Sequence, residues 1–318
     1  MDSILILGGS GFVGSVLCGK LVRSRGGGSL RITVPTRRLA KVRPVQILPT
    51  VDVVESNLFD DTQLARLVAG RDAVVNLVAI LNGREADFRQ VNAELPRRVA
   101  QACVAAGVAR LVHVSALGAA VDAPSHYLRA KAAGELALRE LHARSNVMRP
   151  SVIFGAGDRF MNLFARLQSF APFVPLARAD ARFQPVWVDD VAEAIVRVLD
   201  DPETAGQTFE CAGPRVFSLA ELVRLAGQWS GNERPIVRLP DAIGRLQTLF
   251  MELLPGEPML SRDNLRSMQV ANVASGKWPG LATLGITASD VEAIMPSLLE
   301  RGGEAERLNR WRGAVHHR

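Results

Sequence analysis

Apolar and polar positions along the chain follow two rhythms. In the first half, apolar runs of strand length at Ile4–Leu7, Leu30–Thr36, Val51–Glu55, Ala73–Leu77, Leu111–Ser115 and Val147–Arg149 alternate with stretches whose apolar residues recur at helical spacing. Short apolar runs bounded by turn residues read as buried strands, and a period near 3.6 reads as helices packed on them. Helices are expected up to about Arg25, from Asp61, up to Ala106 and from Tyr127. The one ending at Ala106 is expected to start at Asn92 as N-cap, which puts Pro96 in the first turn, where a missing N–H is tolerated. Such alternation implies a parallel sheet covered on both faces through right-handed crossovers.

Beyond Pro150 the rhythm loosens. A turn at Gly155–Asp158 precedes a helix from Met161, Phe183–Val188 reads as one strand leading into a helix at Asp189, and Ser218–Glu221 and Ser289–Glu292 spell capping boxes. The expected division is residues 1–150 as a nucleotide-binding domain and 151–318 as a smaller, helix-rich region that covers a cleft and returns some elements to the main sheet. Residues 241–254 form one further expected helix, opened by Asp241 and stopped by Pro255. Its apolar stripe of Ile243, Leu246, Phe250, Leu253 and Leu254 serves either as core or, with Arg307, Arg310, Arg312 and Arg318 of the tail, as an apolar and cationic face for an anionic membrane or membrane complex.

The first strand runs directly into Gly8-Gly9-Ser10-Gly11-Phe12-Val13-Gly14 and then into a helix, the order that a dinucleotide pyrophosphate needs. Gly8 permits the sharp turn, Gly11 the close approach of backbone to phosphate, and Gly14 the packing of helix on strand; the opening N–H groups face the anion. The fold class expected is therefore α/β, a Rossmann-type doubly wound parallel sheet. In such a sheet the ligand lies at the carboxyl ends of the strands where their order reverses, so the loops after Leu7 and Leu77, the latter carrying Val78 and Ala79, flank the cofactor. Residues 26–50 hold no acid to bind the adenosine ribose hydroxyls, but carry Arg31, Arg37, Arg38, Lys41 and Arg43. Arg37-Arg38, just past the second strand, suit a 2′-phosphate, so NADP(H) is expected in preference to NAD(H). Asn57-Leu58, after the third strand, is placed to contact adenine, although Asn57 fits turn chemistry equally.

The chain has one tyrosine, Tyr127, and a lysine four residues on, Lys131. At helical spacing they share a face, and an ammonium beside a phenol lowers its pKa and makes it a usable proton donor or acceptor. His126, beside the tyrosine, is a candidate proton relay. Composition changes the picture little. A net charge of +6 raises nucleic acid as a partner, but 34 of the 38 basic residues are scattered arginines with no aromatic interleaving, which argues against it. Cys18, Cys103 and Cys211 are odd in number and sit among apolar neighbours, which suits reduced core thiols; no metal site is expected. No apolar run reaches the ~18 residues that span a bilayer, and the start reads as a strand, not a secretory signal. The expected location is cytoplasmic, with peripheral contact to the cytoplasmic membrane where the 241–254 helix serves that role.

Gly8–Gly14, Asn57–Asp60, Val91-Asn92, His113–Ala116, Tyr127–Lys131, Arg149–Ser151, Phe154-Gly155 through Asp158–Phe160 and Gln184–Asp190 together resemble an atypical short-chain dehydrogenase/reductase. The pattern is most similar to the group of the nucleotide-binding accessory subunit of mitochondrial respiratory complex I and its bacterial relatives. The resemblance implies a tightly held NADP(H), with Asn92 among the nucleotide residues, Lys131 on the nicotinamide ribose, Tyr127 near the reactive carbon and Pro150-Ser151 lining the nicotinamide. Catalytic members orient substrate with a serine at the end of the fifth strand, where this chain has Ser115 followed by Ala116-Leu117. Three functions stay open: an oxidoreductase or epimerase-like enzyme on an apolar, quinone-related substrate; a redox-silent, NADP(H)-stabilised scaffold docked on a membrane respiratory or quinone-biosynthesis complex; and a dinucleotide-sensing regulator.

Overall fold

The structure is a computed structural model that describes residues 1–25, 29–37, 42–253, 258 and 260–299, with the backbone alone at 43, 44, 250 and 253. Arg38, Lys41, the Gly26–Gly28 turn, Leu254, Pro255 and the tail arginines lie outside the described residues, as do the side chains of Arg43, Phe250 and Leu253. Seven parallel strands form the central sheet: β1 (Ser3–Leu7), β2 (Arg31–Thr36), β3 (Val51–Glu55), β4 (Ala73–Asn76), β5 (Arg110–Val114), β6 (Asn146–Pro150) and an edge strand, Thr208–Cys211. Their order is Thr208–Cys211, β6, β5, β4, β1, β2, β3. Strand order therefore reverses at β1, between β2 and β4, and the crevice for a ligand opens there.

Period-two alternation explains why β1 is apolar throughout. Ile4 and Ile6 join the core on one face, against Leu17, Cys18 and Leu21 of α1 (Phe12–Ser24) and the helix Val188–Asp200. Leu5 and Leu7 join the core on the other face, against Leu64, Leu95, Val99 and Leu138 of three further helices. A strand buried on both faces has no solvated side to mark with polar residues. Cys18, Cys103 and Cys211 are all buried and free.

Two local expectations are corrected. The helix expected from Asn92 begins at Glu85 and continues through a π-helical stretch, Arg89–Glu94, into Leu95–Ala105. Asn92 thus lies inside the helix, fully buried, and is not its cap. The wider π turns take up Pro96, which has neither the N–H nor the room for an α turn. The strand expected at Phe183–Val188 is two pieces, Arg182–Phe183 and Val186–Trp187, because Gln184 N–H turns away to the Asn272 carbonyl at 3.0 Å. Of the two capping boxes, Ser218/Glu221 forms, but the helix over 291–299 is capped by Asp290, whose carboxylate accepts Glu292 N–H at 2.9 Å. Ser289 N–H donates instead to Asp190 at 2.7 Å.

Past β6 a second core joins the helices Met161–Phe170 and Leu219–Trp229 to residues 291–299 through Met161, Leu222, Val223, Val291 and Met295. Among the described residues no helix is long and apolar enough to cross a membrane.

Candidate nucleotide and active site

The glycine turn brings three backbone segments into contact at the switch point. Gly8 has φ 80°, and a Cβ on it would lie 3.2 Å from the Leu77 carbonyl carbon and 3.3 Å from Val78 N, so the turns after β1 and β4 touch. A Cβ on Gly14 would meet the Gly9 Cα at 2.5 Å, which is why α1 can start tight against the turn. Gly11 is the N-cap; no side chain caps α1 and no acid lies in its first turn, Phe12-Val13-Gly14. A helix start without its own cap beside a bare backbone turn leaves positive N–H groups for an anion. Ser10 lies in the turn, half-buried like Phe12 and Val13. The Phe12 ring reaches across to Gly155, where a Cβ would stand 3.2 Å from its Cζ.

Arg37 is exposed directly after β2, and Arg38 is outside the described residues. Asn57 serves as turn chemistry: its side-chain oxygen accepts Phe59 N–H at 3.0 Å, and Leu58 packs on the core below. That bond is the turn chemistry which its sequence fits equally, and it engages the side-chain oxygen two residues along its own chain.

A buried polar network shapes the loop after β4. Asn76, ending an otherwise apolar strand, accepts Val78 N–H at 3.1 Å and faces His113 Nδ1 at 3.2 Å. Asn92 accepts Ile80 N–H and donates to the Ile80 carbonyl, both at 3.1 Å. These two bonds hold the loop that carries Val78 and exposed Ala79. Burial, helped by the charge of Lys131, holds His113 neutral, well below the usual histidine range. Accepting at Nδ1 assigns its proton to Nε2, which is buried without a hydrogen-bond partner.

The helix His126–Leu141 starts at Ser125, whose hydroxyl accepts Leu128 N–H at 3.2 Å, and carries Tyr127 and Lys131 on one face. Lys131 is buried and donates from Nζ to the Val114 carbonyl at 2.8 Å, which brings its ammonium to the end of β5 beside Ser115. Burial lowers the Lys131 pKa to about 8, with Glu135 opposing. Tyr127 lies edge-on to Phe88, ring centroids 6.1 Å apart, and burial pushes its phenol above the ordinary 10. The lowering of that phenol by Lys131, expected from the spacing, is thus corrected: desolvation governs the ring, and the ammonium is turned to the strand end. His126 is no relay in this arrangement, since its Nδ1 lies 2.9 Å from Arg129 and 3.3 Å from Glu85. Ser115 is 3% exposed, and its hydroxyl has no partner although its N–H donates to Met148 at 2.7 Å. An unpaired buried hydroxyl costs roughly 1–3 kcal/mol, so this oxygen is poised for a group that the protein does not supply.

Pro150 and Ser151 end β6 in the same crevice. The Ser151 hydroxyl contacts the Asn272 side-chain oxygen at 2.7 Å and carbonyl at 3.0 Å, so it ties down a distant segment. Sequence reasoning missed Asn76, Asn272 and Asp263. Asp263 is 7% exposed and accepts His126 N–H at 2.8 Å and Tyr127 N–H at 3.0 Å, capping the helix of the tyrosine from outside. A polar residue closing the apolar run of β4 was the one local signal among the three. The segment Asp158–Asn162 has a structural role: Asp158, buried, accepts the N–H groups of Gly155, Phe160 and Met161, and Asn162 bonds back to it at 3.2 Å.

A glycine turn at the switch point, an uncapped helix above it and a Tyr–Lys helix alongside define a dinucleotide-site protein of the Rossmann class. The chain belongs to the NAD dependent epimerase/dehydratase family, whose model matches residues 4–212. It is 31% identical to the mitochondrial NADH dehydrogenase [ubiquinone] 1 alpha subcomplex subunit 9 of Mus musculus over 319 residues, 96% of this chain and 81% of the relative. It is 30% identical to a ceramide reductase of Caulobacter vibrioides, over 75% of this chain and 74% of that one. The solved structure of MoeE5 in complex with UDP-glucose and NAD shares the fold, with a TM-score of 0.69 at 19% identity over 97% of this chain and 99% of that one.

Proposed function

We propose that this protein is an NADP(H)-binding oxidoreductase or epimerase-like enzyme of the short-chain dehydrogenase/reductase type, acting on an apolar, quinone-related carbonyl or alcohol beside a membrane or membrane complex. The observation that carries it is the uncapped start of α1 on the glycine turn, where a Cβ at Gly8 would press on the Leu77-Val78 turn and one at Gly14 would clash with the Gly8-Gly9 backbone. The residues present fit a dinucleotide: the first turn of α1 for the pyrophosphate, exposed Arg37 for a 2′-phosphate, Val78 and Ala79 as one wall, Pro150 as another, and Lys131 for the nicotinamide ribose. When bound, such a cofactor gives or takes up a hydride. Tyr127, protonated at neutral pH, hands its proton to a carbonyl oxygen, and the unpaired Ser115 hydroxyl holds that oxygen in place. The names of two relatives, a subunit of a mitochondrial NADH dehydrogenase [ubiquinone] and a ceramide reductase, support an apolar substrate.

The second function, an NADP(H)-stabilised scaffold, is supported by the mitochondrial relative, whose name makes it a subunit of a larger assembly. Both functions need the nucleotide. Calorimetric titration should find NADPH bound at least tenfold more tightly than NADH, because one charge-assisted contact to a phosphate contributes about 1.5–3 kcal/mol. Arg37→Ala should narrow that gap. Equal affinities reject the NADP preference, and binding of neither nucleotide rejects both functions.

A further inference from the structure

The helix Asp241–Leu253 is turned inside out. Among its described side chains, the buried ones are small or polar: Thr248 is 0% exposed, and a Cβ on Gly244 would lie 2.6 Å from the Ala177 Cβ, so the helix lies flat on the strand Val174–Ala177. Ile243, Leu246 and Leu249 are 51%, 66% and 41% exposed. At ~100° per residue they span about 120° of the helix, directly opposite Gly244 and Thr248. Arg245 stands at the edge of that outward apolar arc.

Arg245 also opens onto a cavity of about 300 Å³ shared with Arg178, Arg262, Arg266, Asp241 and Gln269. None of the residues expected at the nucleotide lines it. Asp241 pairs with Arg178 at 2.8 Å and Glu252 with Arg262 at 2.7 Å. Among the described residues, Arg245 and Arg266 have no carboxylate partner. Guanidiniums gathered in one hollow repel each other, and an anion with several oxygens relieves that by accepting forked hydrogen bonds. An anion alone leaves the neighbouring apolar arc in water. An anionic amphiphile satisfies both.

We propose that this cavity receives the phosphate of an anionic phospholipid while Ile243, Leu246 and Leu249 enter the edge of the acyl layer. The helix then lies in the interface plane with its cations at the headgroups. This deepens the membrane-contact part of the function proposed above and assigns that contact to a defined site. The site is tested by flotation of the full chain with phosphatidylcholine vesicles, with and without phosphatidylglycerol. Wild type should bind only the anionic vesicles. Arg245→Gln with Arg266→Gln should weaken that binding about thirtyfold, since each cation near such a surface contributes about fivefold. Leu246→Ser with Leu249→Ser should weaken it as well. Arg23→Gln with Arg66→Gln, which removes the same net charge elsewhere, should leave it within twofold, and all three variants should keep wild-type NADPH affinity. Loss of equal size in the Arg23/Arg66 control reduces the effect to net charge and overturns the proposal. Undiminished binding of the Arg245/Arg266 variant overturns the site and leaves membrane contact standing. Wild type that ignores all vesicles overturns both. Glycerol phosphate bound in solution through Arg245 and Arg266 without vesicle binding makes the ligand a soluble phosphate ester and overturns the lipid assignment.

Discussion

Lys131 holds an ammonium against a backbone carbonyl in a place that water does not reach, and its pKa near 8 records the cost. In the unfolded chain the same group titrates near 10.5. Between those values the unfolded state binds more protons, so stability rises with pH across that window; below about 8 the cost is present in full. Lys131→Met lacks the titration. Denaturant unfolding at about pH 7 and about pH 10.5 should therefore show wild type gaining about 3 kcal/mol relative to the variant. A constant difference would mean that the ammonium is solvated. The spacing from Tyr127 to Lys131 is legible in the sequence because a helix puts fourth neighbours on one face. The direction of the phenol shift was not, because it depends on Phe88 and the walls around the ring, which no spacing encodes.

At the scale of elements, α1 contains two glycines with opposite meanings. Gly14 has backbone where a Cβ would stand, whereas a Cβ on Gly19 would meet only Arg23 Nη1 at 3.6 Å, the end of a flexible side chain. Gly14→Ala should force the helix off the turn, cost roughly 1–3 kcal/mol and lower NADPH affinity at least tenfold. Gly19→Ala should stabilise the protein by about 0.5–1 kcal/mol and leave affinity unchanged. Thermal unfolding and calorimetry of the pair check both; similar losses in the two variants would show that α1 is not seated on the turn. The π-helical stretch shows why element boundaries were less legible. Asn92 before Pro96 has the local form of a helix start, yet Phe88, 1% exposed, pulls the preceding turn into the core and extends the helix back to Glu85.

Across the whole molecule, Asp263 ties the later half of the chain to the tyrosine helix. Its carboxylate accepts two N–H groups 136 and 137 residues away, at the positive end of that helix. Asp263→Asn keeps the shape and removes the charge, so chemical unfolding should show a loss of about 1–2 kcal/mol. An unchanged midpoint would mean that the cap is neutral in effect and that Tyr127 is positioned by its ring contacts alone.

The sequence by itself determined what local periodicity and spacing encode: the strands β1 to β6, the glycine turn, the helix of Tyr127 and Lys131, and the class of sheet. Tertiary structure decided which of those residues are free to act. Ser151 is engaged by Asn272 across 121 positions, Asn92 by Ile80 through a loop, and Ile243, Leu246 and Leu249 face outward because Gly244 fits against Ala177. Periodicity ranks residues by the face they share, but a face becomes core or surface, and a hydroxyl spent or available, only through the segment that folding brings against it.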